Sequence, residues 1–92
     1  MNVDYENLEN DVASGVFRET LREELIFGFR QLHHSGERLP LPSYLAAQIA
    51  EVVNRGAAEP INGDLAFHLY QEILLAVEGA RDQVLGEEAL SS

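Results

Sequence analysis

Between Asn62 and Gly86 the apolar residues return every three or four positions. Leu69, Ile73, Ala76, Val77, Ala80 and Val84 make a near-heptad stripe, and Leu65, Phe67, Tyr70, Leu74 and Leu75 widen it. A strand would alternate at every second residue, so this spacing predicts one long helix with a buried face. Asn62 is placed to cap it, Asp64 suits the positive end of its dipole, and Gly86 is expected to end it after Leu85. Whatever else the chain does, it must cover this stripe.

The rest of the chain reads in the same period. Residues 3–13 make a short helix, with Tyr5, Leu8 and Val12 on one side. Ser14-Gly15 is a natural break with Ser14 free to cap the next helix, although the chain could also continue as one long helix. Residues 16–33 carry Phe17, Leu21, Leu25, Phe29 and Leu32 on one stripe, while Ile26 and Phe27 point off it, at about 100° and 200° from Leu25. Gly28 inside this helix costs about 1 kcal/mol relative to alanine, which implies a close helix contact there. His33 to Pro42 is a connection, stopped by Gly36 and stiffened by two prolines, Pro40 and Pro42. A third helix runs from Ser43 to Arg55 with Leu45, Ile49, Val52 and Val53 inward, and Asn54-Arg55-Gly56 ends it.

Hydrophobic residues are 46% of the 92-residue chain but aromatic ones only 8%, with no tryptophan. A core of Leu, Ile, Val and Ala suits helix-on-helix packing, so the expected fold is all-α. It is a small bundle of three main helices plus a short N-terminal helix, completed by dimerisation. Residues 1–86 form the single domain, and 87–92 an acidic flexible tail. Dimerisation is expected because the apolar surface on residues 16–33 and 65–77 exceeds what so short a chain can hide. Ile26, Phe27 and Gly28 are the candidate interface.

Sixteen acids face six bases, all arginine, and the formal net charge is −10. That charge repels phosphate backbones and anionic headgroups and attracts basic surfaces. No apolar run approaches the roughly 20 residues of a membrane span, and Met1 to Glu6 has no signal-peptide character, so a cytoplasmic protein is expected.

Few residues offer catalytic chemistry. Cysteine and lysine are absent, Thr20 stands alone, and Ser14, Ser35 and Ser43 sit where caps and turns belong. His33 and His34 are adjacent, so their side chains diverge on a helix, and the dipole alone favours them at its C-terminus. His68 and Glu72 have i,i+4 spacing, which an ordinary helix-face hydrogen bond explains better than a metal fragment. Carboxylate pairs such as Glu23-Glu24 and Glu87-Glu88 read as solvated surface, and the isolated glycines form no phosphate loop. The third and fourth helices lack arginine, asparagine or glutamine at Gly63–His68 to read bases, which argues against direct DNA binding. Leu41-Pro42-Ser43-Tyr44 has the spacing of a WW-domain ligand, but a loop entering a helix accounts for its proline.

In composition the chain is similar to the short acidic inhibitors encoded by phages and mobile elements, anti-CRISPR and DNA-mimic proteins included; the likeness carries over no residue. The expected function is therefore a non-enzymatic protein–protein interaction module, without cofactor or metal, docking an acidic face on a basic surface of a nucleic-acid-handling complex. Glu19, Glu23, Glu24, Glu51, Glu72, Glu78 and Asp82 are the candidate contacts, chosen because they lie off the apolar stripes. The alternative is a structural or assembly adaptor whose apolar stripe a partner helix completes. A third reading is a small metal-dependent enzyme using His68 and carboxylates.

Overall fold

The computed structural model describes residues 5–57 and 61–91, with side chains over 9–57 and 61–87. They form four helices, α1 (Tyr5–Ser14), α2 (Val16–His34), α3 (Pro42–Gly56) and α4 (Gly63–Ser91), and the fold is all-α with no strand among the described residues.

The last helix is the spine. Its 29 residues amount to about 43 Å at the helical rise, nearly the molecule's whole 46 Å length. The other helices pack along it, and the Cα radius of gyration is 14.1 Å, against about 12 Å for a compact domain of this length. Arg18 meets Glu72, Arg22 crosses Gly79, and Arg30 meets Glu87. Because these numbers rise together, α2 and α4 run parallel. The short connection before α4 returns α3 antiparallel along the same spine. No Cα of α2 comes within 8 Å of one in α3, so each covers its own flank of α4.

The core follows from that arrangement. Leu65, Leu69, Ile73, Ala76, Val77, Ala80 and Val84 of α4 are all buried, and they are the residues whose spacing predicted the helix. Val12, Ile26, Phe29 and Ala46 complete the buried set, with Phe17, Leu21, Leu25, Leu32, Leu45, Ile49 and Val53 partly buried against it. Phe67 and Leu75, which widen the stripe in the sequence, stay exposed because no helix among the described residues covers that side of α4.

Local signals set most of the ends. Gly15 takes φ 83°, which excludes one continuous helix through residue 14 and separates α1 from α2. Ser14 does not cap α2 as expected: its Oγ donates to the Asp11 carbonyl within α1, and Gly15 itself occupies the cap. Gly36, at φ 79°, closes α2 with a Schellman pair, Glu37 N–H donating to Leu32 O at 3.0 Å and Gly36 N–H to His33 O at 3.1 Å. Pro42 stands at the start of α3, where the missing N–H costs nothing. Asn62 does cap α4, its Oδ1 accepting from the Leu65 N–H at 2.8 Å.

Four expectations are corrected. The last helix runs through Gly86 to Ser91 instead of stopping at Leu85, so the backbone of 87–91 is helical. Arg30 meets Glu87 there, a tertiary contact one residue beyond the glycine. Gly28 makes no close contact, since nothing lies within 4 Å of where its β-carbon would stand. The close approach is at Gly79, where that position is 3.2 Å from Arg22 Cδ. On α3, Val52 is 65% exposed, and Ala46 takes the buried place against α4. Pro42 and Gly56 also extend α3 by one residue at each end relative to Ser43–Arg55.

Candidate interaction surface

The seven candidate acids fall into two sets. Glu19 accepts from Arg22 at 3.0 Å along α2, and Glu51 pairs with Arg55 along α3. Glu72 is only half-exposed and faces Arg18 across the α2–α4 contact, with Arg18 Nη1 3.3 Å from its Oε2. That distance gives charge attraction, but the geometry leaves the buried Oε2 without a hydrogen bond. Glu72 therefore helps join two helices and is not an off-stripe surface acid. Glu23, Glu24, Glu78 and Asp82 are exposed and pair with no cation among the described residues.

These four lie on the two helices that pack most extensively, α2 and α4. Glu78 and Asp82 share a helix face at i,i+4, and like charges at that spacing repel by a few tenths of a kcal/mol. Exposed carboxylates without a cation partner carry their negative charge without needing any side chain released first.

The second junction of α2 and α4, unlike the first, is hydrogen-bonded. Arg30 Nε donates to Glu87 Oε1 at 2.8 Å while its Nη2 donates to Glu87 Oε2, a two-pronged contact 57 residues apart in sequence. The hydrogen bonds from Arg30 hold the Glu87 carboxyl below its ordinary range, helped by their charge attraction, by Gln83 and by His34, and opposed by desolvation. No spacing rule signals this pair, because its partners meet only once the helices dock.

Of the three candidate interface residues, Ile26 is buried in the chain's own core at 8% exposure and is not an available surface. Phe27, its neighbour, is 65% exposed, and Gly28 has open space beside it. Ile26 and Phe27 point about 100° apart, and α4 packs on the Ile26 side. Leu41, Tyr44, Val52 and Phe67 are also exposed by more than half.

His68 and Glu72 border a cavity of about 520 Å³ between α1 and the start of α4, together with Glu9 and Asp64. Glu72 is engaged by Arg18, and His68 lies edge-on to Phe67 with ring centroids 5.9 Å apart. Among the described residues no three His, Asp or Glu side chains converge on a point that could hold a metal ion. No helix among them is long and apolar enough to cross a membrane.

Comparison of the chain with family models, with curated proteins and with solved structures finds no match to any of them.

Proposed function

We propose that this chain is a non-enzymatic protein–protein interaction module that docks an acidic face on the basic surface of a larger, cytoplasmic partner. A nucleic-acid-handling complex is the most concrete such partner, because its phosphate-binding surface is basic and carboxylates can stand in for phosphates. The observation that carries this reading is the set of unpaired, exposed acids Glu23, Glu24, Glu78 and Asp82 on packed helices. Glu19 and Glu51, whose charge is partly neutralised by arginine, are secondary contacts, and Glu72 is a structural one.

Replacing Glu23, Glu24, Glu78 and Asp82 together by arginine tests it. The tagged wild-type chain, used as bait in extract of its source cell, should capture a basic partner at physiological salt and release it at about 1 M salt, where screening acts over about 3 Å. The reversed chain should capture none of it while melting as wild type does, since exposed charges add little to stability. Capture that survives both the reversal and the salt defeats the electrostatic reading.

A second reading rests on Phe27, Val52 and Phe67, each more than 60% exposed. Large apolar groups left in water favour an adaptor or a homodimer in which a second helical surface covers them. Salt separates the two, because an apolar contact hardly weakens as ionic strength rises.

A further inference from the structure

Four of the six arginines are spent inside the chain, Arg18 on Glu72, Arg22 on Glu19, Arg30 on Glu87 and Arg55 on Glu51. The remaining two, Arg38 and Arg81, pair with no acid among the described residues, and both line one cavity of about 710 Å³. In a chain with sixteen acids, two arginines left without one in the same place is a feature to be explained.

The cavity lies between the connection after α2 and the second half of α4. Arg81 comes from α4 and is half-buried; its Nε is shielded from water and donates to nothing. An orphaned donor of that kind costs free energy unless an acceptor arrives. Arg38 is exposed and projects from the connection that the Gly36 turn positions. His33 borders the same space from the last turn of α2. Leu39, Leu41 and Leu85 supply its apolar side, Leu41 being 67% and Leu85 37% exposed. One acid, Glu37, also lines it and opposes an anion there.

We infer that this cavity is a binding site for a carboxylate carried on a short apolar group. Arg81 offers a planar fork of N–H donors from a fixed helical position, which matches the two oxygens of a carboxylate. Arg38 closes over it from the loop, and the leucines cover the apolar part. The volume is in the range of sites that hold small organic ligands. A free short-chain acid and the apolar C-terminal residue of a peptide share this chemistry.

Amide resonances of Gly36, Leu39 and Leu85 in the full chain report on the site directly. Hexanoate should shift them saturably, while hexanamide, with the same tail and no charge, should leave them in place. A peptide ending in leucine as the free acid, compared with its C-terminal amide, separates the two sources. Shifts with the free-acid peptide at lower concentration than hexanoate assign the site to a chain terminus, and the reverse assigns it to a small acid. Arg81→Gln should weaken hexanoate binding about tenfold or more, the scale of hydrogen bonds to a charged group. Arg81→Lys keeps the charge but loses the fork, and should retain weak binding in a chain whose other resonances are unchanged. Glu37→Gln should tighten binding about two- to fivefold by removing an exposed like charge. Equal shifts from hexanamide, or hexanoate shifts that persist in an Arg38→Gln, Arg81→Gln chain, overturn the assignment.

Discussion

The stem of Arg22 lies across Gly79, its Cδ 3.2 Å from where a β-carbon at residue 79 would stand. The guanidinium beyond it donates to Glu19 at 3.0 Å, so the stem is held from its far end. This is where α2 approaches α4 closely enough that only glycine fits without displacement. Leucine there should cost about 1–3 kcal/mol through overpacking, although leucine is the better helix former. At Gly28, where nothing lies within 4 Å, alanine should instead gain about 0.5–1 kcal/mol. Thermal melts of Gly79→Leu and Gly28→Ala should move in opposite directions. Melting points that move together would mean that the helix contact is not at Gly79.

Ile26 and Phe27 are adjacent in sequence and opposite in consequence. Truncating Ile26, 8% exposed, to alanine should cost about 2–4 kcal/mol by leaving a core cavity. Phe27→Glu, at a position 65% exposed, should leave the circular dichroism melt close to wild type. If the apolar surface pairs with a second copy, sedimentation velocity should show Phe27→Glu monomeric at concentrations where wild type self-associates. A wild-type chain that sediments as monomer across the micromolar range removes the homodimer.

Gly36 holds φ 79° while both Schellman hydrogen bonds form around it. A β-carbon there meets no neighbour, so the penalty for alanine is conformational alone. Gly36→Ala should cost about 1–2 kcal/mol, which for a domain of this size lowers the melting temperature by about 4–16 °C. Asparagine, which tolerates the left-handed region, should recover part of the loss. An unchanged melt for the alanine variant would show that the turn is not left-handed in solution.

Glu87 supplies a pH dependence with a defined sign. Its carboxyl is held below the ordinary value of 4.5 chiefly by hydrogen bonds from Arg30. A depressed folded-state pKa stabilises the fold above the unfolded value and ceases to do so as pH falls through the folded one. Glu87→Gln should therefore melt below wild type at neutral pH, and the difference should close as the solution is acidified below the usual carboxylate range. A difference that stays constant from neutral to strongly acid pH would rule out the ionised pair as its source.

Much of the fold is legible in local patterning. The stripe from Leu65 to Val84 identifies the spine and nearly all of its buried residues, because a helix puts positions three and four apart on one face whatever surrounds it. Asn62 and Gly36 act at helix ends for equally local reasons, a side-chain acceptor in one case and a left-handed backbone in the other. Net charge, the shortage of aromatic residues and the absence of cysteine are likewise properties of the chain alone.

Tertiary docking decides the rest. A helix with an apolar face broader than one neighbour can cover does not reveal which part will be covered, and α4 chose Ile26 over Phe27 and Ala46 over Val52. The contact beyond Gly86 obeys the same logic, since the spacing of 57 residues between Arg30 and Glu87 fits no helical rule. The candidate acids divide by the same cause. Glu23, Glu24, Glu78 and Asp82 remain unpaired while Glu72 is drawn into the α2–α4 contact, and the arrival of Arg18 from another helix makes the difference. Sequence period reports which residues share a face of one helix; only the packing of helices against each other reports what that face meets.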